Sequence, residues 1–256
     1  MPARRLRKPA TSSLEAVNPA LPEGPAGGSR RVRSFVRRGG RITAGQQRAL
    51  ERLWPRFGVD PGQGPVDLPA LFGRDAPLTL EIGFGNGESL AWQAERMPER
   101  DFIGIEVHRP GVGHLLGELE RRGLRNVRVF NEDAVEVLET RIPPASLDTV
   151  QVFFPDPWHK KRHHKRRLIR PDFVRLLASR LRPDGRLHLA TDWEDYARQM
   201  LEVMAACADL FAPEGPQPLD SRPPARPATR FERRGERRGH RVSDLLYRRT
   251  GVAVSR

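Results

Sequence analysis

Between Leu78 and Thr191 the chain alternates short apolar runs with amphipathic ones, and that alternation limits what it can become. Leu78–Ile82, Phe102–Glu106, Val127–Phe130, Leu147–Phe154 and Arg186–Thr191 read as strands. Helical stretches follow each of them: Glu88–Arg96, Pro110–Arg122, Ala134–Thr140, Pro171–Leu181 and Trp193–Cys207. Pro110 fits the start of its helix, because a first turn does not need the missing N–H. Repeated βα units predict a doubly wound, mostly parallel α/β sheet with helices on both faces. Pro213–Pro227 reads as loop, and Asp244–Arg248 as a possible last strand. No internal repeat is visible.

The flanks are different. Residues 1–32 are rich in Pro, Ala, Gly, Ser and Arg without apolar periodicity, and are expected to form a disordered basic extension. Residues 33–256 are expected to form one domain. It opens with a basic segment (33–69) containing a short helix, Gly45–Leu53, and a Pro/Gly-rich linker, Asp60–Pro69. With 38% hydrophobic residues the 256-residue chain can bury a core, and its net charge of +13 points to a polyanionic partner. No stretch is apolar for long enough to cross a bilayer and the N-terminus lacks an apolar signal core, so a cytoplasmic location is expected. Cys207 is the only cysteine, which excludes an intramolecular disulfide and cysteine-based metal sites. His159, His163 and His164 stand among cations with no carboxylate at ligand spacing, so no metal is expected.

The first strand runs into Glu81-Ile82-Gly83-Phe84-Gly85-Asn86-Gly87-Glu88. Glycines at a strand-to-helix turn let backbone approach a ligand closely. A nicotinamide dinucleotide site would show G-x-G-x-x-G with a pyrophosphate at the helix start. Here the spacing is G-x-G-x-G and carboxylates, Glu81 and Glu88, flank the loop. Two acids disfavour a pyrophosphate and favour a cationic ligand; S-adenosylmethionine, with its sulfonium and amino group, fits. Glu106, roughly 20 residues on, is placed to accept from ribose hydroxyls. Asp133, after the third strand, is placed to accept from an adenine amino group.

The fourth strand ends in Phe153-Phe154-Pro155-Asp156-Pro157-Trp158, followed by His159-Lys160-Lys161-Arg162-His163-His164-Lys165-Arg166-Arg167. Asp156 is therefore a fourth acid on the same rim, its φ freedom reduced by the flanking prolines. The cations can neutralise phosphates without reading sequence. Taken alone, the Pro-Asp-Pro is compatible with an ordinary turn and the basic run with a solvated face.

These stretches, together with Gly104–His108, Thr191-Asp192-Trp193 and Thr229–Gly235, resemble the bacterial tRNA (guanine-N7-)-methyltransferase family over about residues 33–248. The resemblance implies a class I methyltransferase with a Rossmann-like, seven-stranded sheet. It further implies methyl transfer from S-adenosylmethionine to N7 of a guanine in the tRNA variable loop, at position forty-six in standard tRNA numbering. By the same resemblance Glu81, Gly83, Gly85, Glu106, Asp133 and Asp156 would contact the cofactor, with Asp156 also catalytic. Lys160, Asp192, Thr229, Arg230, Phe231 and Glu232 would bind substrate. Arg162, His163, His164, Lys165, Arg166 and Arg167 would bind RNA. Phe154, Trp158 and Phe231 are available either to stack on a displaced base or to pack in the core. Two other readings stand beside this one: another S-adenosylmethionine-dependent RNA methyltransferase, and a non-catalytic tRNA-binding protein on the same fold. Nothing calls for an obligate protein partner, which leaves a monomer or homodimer.

Overall fold

The computed structural model describes residues 34–35, 41–219, 221–237 and 239–253; the expected disordered extension, residues 1–32, lies outside them. Seven strands form one sheet in the order β3-β2-β1-β4-β5-β7-β6. These are β1 (Leu78–Ile82), β2 (Asp101–Ile105), β3 (Val127–Phe130), β4 (Leu147–Phe153), β5 (Leu181–Thr191), β6 (Phe211–Pro213) and β7 (Ser243–Arg249). Strands β1 to β5 pair in parallel, and β7 runs antiparallel between β5 and β6. The expected doubly wound, mostly parallel sheet is what forms.

Because successive side chains point to opposite faces, each strand feeds two cores. Helices α1 (Ala44–Phe57), α3 (Glu88–Arg96) and α4 (Arg109–Arg121) pack on Phe102, Val127 and Val129. Helices α5 (Ala134–Thr140), α6 (Pro171–Arg180) and α7 (Glu194–Ala205) pack on Leu80, Ile103, Val150 and Leu187. The α3 face of β1 and β4 is polar: Gln151 and Gln93 exchange 2.8 Å hydrogen bonds there, with Ser89 bound to Gln93 at 3.0 Å.

Several elements depart from expectation. Strand β5 begins at Leu181, and its pairing with β4 jumps from Leu181 to Arg186, passing Pro183-Asp184-Gly185 as an irregularity. The segment expected as a linker holds a short helix, α2 (Leu68–Phe72), capped by Asp67, and Val66 N–H donates to Arg141 O. Helix α1 continues four residues past Leu53, through Pro55, to bury Phe57 against β3. Between Phe153 and α6 the cations coil into a 3₁₀ turn, Lys161–Arg166. A final helix, α8 (Arg230–Glu236), was not expected from the sequence.

Candidate active site

Strands β2 and β3 extend the sheet to one side of β1, while β4 and β5 extend it to the other. Loops leaving β1 and β4 therefore diverge, and a crevice opens at that reversal. It is a cleft of about 440 Å³ whose walls include Gly83, Glu106, Asp133, Phe154 and Asp156. Four of the acids and glycines read from separate stretches of sequence thus meet in one place.

Each is held by its own local geometry. Gly83, Gly85 and Gly87 adopt φ values of +75°, +59° and +76°, a region in which a Cβ is strained. Glu106 ties this loop to the end of β2, accepting from Gly85 N–H at 2.8 Å and His108 N–H at 2.9 Å. Each carboxylate oxygen keeps a second lone pair for a ligand. Asp133 caps α5, accepting from Val135 N–H at 2.9 Å. Glu81 lies behind the loop, on the α3 face of β1. Burial pushes its carboxyl up to about 8, against a lowering hydrogen bond from Ser89, and Glu106 raises it further. Its Oε2 is buried without a hydrogen-bond partner among the described residues.

Strand β4 stops at Phe153, and the backbone around Asp156 is tightly specified. Phe154 and Trp158 both adopt left-handed φ, +51° and +48°, which non-glycine residues avoid unless their surroundings impose it. Three bonds do so: Phe154 N–H to Ala190 O at 2.8 Å, Arg167 Nε to Pro157 O at 2.8 Å, and Trp158 Nε1 to Ser34 O at 3.1 Å. Asp156 itself is exposed at the cleft wall, and no described residue bonds its carboxylate.

The cations split into two groups. Lys160, Arg162 and Lys165 are exposed, and Arg166 lies over the Trp158 ring at 5.0 Å. His163 stands edge-on to Trp158; partial burial and then Arg162, Arg166, Lys160 and Lys165 hold its pKa below the usual histidine value. Its neighbour His164 is half-buried, 3.0 Å from Arg167 Nη2.

Arg167 differs from the expected RNA contact. Its side chain is 1% exposed, donating to Pro157 O, Gln199 and Asp195 and lying over Tyr196. With its donors spent inside, it shapes the Asp156 loop and offers nothing to a phosphate.

Helix α8 lies beside the cleft, against Phe154. Thr229 caps it, accepting from Glu232 N–H at 3.2 Å, and Phe231, 56% exposed, packs against Phe154 with ring centroids 5.2 Å apart. Asp192 accepts from His240 at 3.3 Å and lies against Gly235. Lys160 and Arg230 are exposed and do not line the cleft. Glu232 needs the same correction as Arg167: it is buried, bonded to Arg226 at 2.7 and 2.9 Å, and cannot reach a ligand. Arg226 in turn holds Asp244 at 2.7 Å through two nitrogens, and Asp244 meets His188 at 2.7 Å. Glu88, expected beside the ligand, turns outward onto α8.

Two groups were missed by sequence reasoning. Glu132 lines the cleft with a buried Oε1 that has no partner among the described residues, and burial raises its carboxyl pKa. Its signal was an acid directly beside Asp133 after β3. Arg226 sits in a stretch that reads only as proline-rich loop, and nothing local marks it.

The sequence matches a family model described as "Putative methyltransferase" over residues 75–245. A solved structure of the 16S rRNA methyltransferase KamB shares the fold, with TM-score 0.52 and 16% identity over 76% of this chain and 99% of that one. A tRNA (guanine-N(7)-)-methyltransferase of Methylococcus capsulatus is 63% identical across 86% of this chain and 95% of that protein. Proteins of the same name are 62% identical in Alkalilimnicola ehrlichii, over 88% and 95%, and 53% identical in Chromohalobacter salexigens, over 93% and 98%. With identity at this level across nearly the full length of each relative, this chain belongs to the tRNA (guanine-N(7)-)-methyltransferase family.

Proposed function

We infer that this protein transfers a methyl group from S-adenosylmethionine to N7 of a guanine in the tRNA variable loop, at position forty-six, as a cytoplasmic tRNA-modifying enzyme. The observation that carries this reading is Asp156, exposed in the same cleft as Glu106 and Asp133 and fixed between two left-handed residues.

The chain's residues fit that cofactor. Glu81, a buried acid with an oxygen that has no partner among the described residues, suits an ammonium group. The backbone of Gly83 and Gly85 permits close approach, while Glu106 and Asp133 retain acceptor capacity for ribose hydroxyls and an adenine amino group. When bound, S-adenosylmethionine supplies an electrophilic methyl group. Guanine N7 carries a free lone pair and no proton, so the protein needs no general base. Its task is alignment, together with stabilising positive charge as it grows on the guanine ring. Asp156 does the second, and accepts from the N–H groups of guanine's Watson–Crick edge, a donor pair adenine lacks. Phe231, the exposed aromatic facing Phe154, is the surface on which the displaced base stacks. Exposed Arg162, Lys165 and neighbouring cations take the phosphates.

The direct test supplies unmodified tRNA and methyl-labelled S-adenosylmethionine. Label recovered as 7-methylguanosine supports the reading; label in any other nucleoside, or none, removes it. The division among the cations makes a second prediction. Lys165→Ala with Arg166→Ala weakens tRNA binding and lowers the slope of log affinity against log salt by about 1–2. Arg167→Ala leaves that slope unchanged while slowing turnover. Filter binding at several salt concentrations measures both.

Glu81 makes a third. Its folded carboxyl titrates near 8 against an ordinary 4.5, so the folded state holds a proton that the unfolded chain has lost. The stability it contributes is therefore full at low pH and is lost as pH rises through about 8. A cationic ligand reverses the preference and expels the proton. Cofactor affinity should rise from pH 6 to 8, with about one proton released per binding event near pH 7. Calorimetry in buffers of different ionisation heat reads that proton, and Glu81→Gln should abolish it. Binding without proton release would mean that Glu81 does not face the ammonium group.

A further inference from the structure

Glu88 is the first residue of α3 and directly follows Gly87 of the glycine loop. Its carboxylate leaves the cleft and reaches α8, more than a hundred residues away in sequence. Oε2 accepts from the backbone N–H of Arg230 at 2.7 Å, and Oε1 from Arg233 Nη2 at 2.9 Å. Arg230 opens α8, where backbone N–H groups have no intrahelical partner. Thr229 satisfies the Glu232 N–H and Glu88 satisfies that of Arg230, so the helix is capped from its own chain end and from the glycine loop at once. A carboxylate there also suits the positive ends of both helices.

Helix α8 thus hangs from two anchors. Glu232 and Arg226 fix it to the sheet in a buried ion pair. Glu88 fixes it to the loop in a pair left 37% and 49% exposed. An exposed ion pair by itself is worth little; the bond to a helix-terminal N–H, charge-assisted and beside the loop, is the part with consequence. Phe231 follows Arg230 and lies against Phe154, two residues before Asp156.

We propose that Glu88 is a positioning residue that couples the glycine loop to the α8 segment, so that filling the cofactor site raises tRNA affinity and tRNA raises cofactor affinity. This rests on the reading that the loop takes S-adenosylmethionine and α8 meets the guanine. The coupling is reciprocal, because both sites bias one shared contact.

The experiment measures tRNA affinity with and without S-adenosylhomocysteine, the unreactive product, in the full-length protein. In the wild type S-adenosylhomocysteine tightens tRNA binding about fivefold. In Glu88→Ala the ratio falls below about twofold, while S-adenosylhomocysteine affinity without tRNA changes less than about threefold. Glu88→Gln, which still offers an oxygen to the Arg230 N–H, keeps most of the ratio. A backbone pair isolates the contact further. Arg230→Ala removes a side chain, whereas Arg230→Pro also removes the N–H at a helix position that accepts proline. The ratio survives in the first and is lost in the second, with no further loss when Glu88→Ala is added. Full coupling in Glu88→Ala would reduce the contact to a surface ion pair and overturn the proposal. So would a tenfold loss of S-adenosylhomocysteine affinity without tRNA, which would make Glu88 a cofactor ligand. A wild type that binds S-adenosylhomocysteine and methylates tRNA but shows no coupling defeats this proposal alone; one that binds none defeats the functional reading with it.

Discussion

Asp156→Ala should lower the rate of methyl transfer by about 10²–10³-fold, the usual cost of removing one preorganised electrostatic partner from a reacting centre. Affinity for tRNA should stay within about threefold, because the exposed cations proposed to take the phosphates lie on the 3₁₀ turn and not on Asp156. The substitution is mild for the fold. The Asp156 carboxylate is exposed and makes no bond to a described residue, and the loop is held through Phe154, Pro157 and Trp158. Asp156→Asn sharpens the point, since it keeps an acceptor oxygen and loses the charge. Single-turnover transfer beside filter binding separates the two quantities. A variant that retained turnover within tenfold would place charge stabilisation elsewhere in the cleft.

Arg226→Ala should have the largest effect on stability. Arg226 is buried between Glu232 and Asp244, donating to both carboxylates through two nitrogens each way. Removing it leaves buried Asp244 with His188 and buried Glu232 with the more exposed Arg222 as their remaining partners, which costs about 3–5 kcal/mol. For a domain of this size that corresponds to a fall in Tm of about 10 °C. Arg226→Lys should recover little, because an ammonium cannot present a fork to two carboxylates. The substitution also loosens α8 from the sheet, so the remaining folded protein should show a raised KM for tRNA. A thermal melt displaced by less than about 2 °C would show that the network contributes little to the fold.

Much of this was legible in the sequence, and the reason is local. The boundaries of β1, α3, β3 and α5 coincide with expectation because each is a run of matching periodicity bounded by glycine, a capping residue or a turn. The rim acids were legible because a parallel sheet sends every strand's carboxyl end to one edge. Helix α8 was not legible. Arg230–Glu236 has no apolar stripe, and its helicity depends on Glu88 and on Arg226, both outside it. In the sequence the cation run looks like one surface, because charge patterning cannot say which member turns inward. Only the fold shows that Arg167, flanking the apolar Leu168-Ile169, faces Tyr196. Glu232 misled in the same way: membership in a substrate-binding segment did not reveal that its carboxylate was already spent on an arginine.

The claim that this cleft methylates N7 has a direct chemical readout. N7-methylguanosine is opened by borohydride reduction and the strand is then cut by aniline. After incubation of the protein with unmodified tRNA and S-adenosylmethionine, the account predicts a single scission at a variable-loop guanosine, at position forty-six. Methyl label in the tRNA with no scission would contradict it, because the methyl group would then sit on another atom.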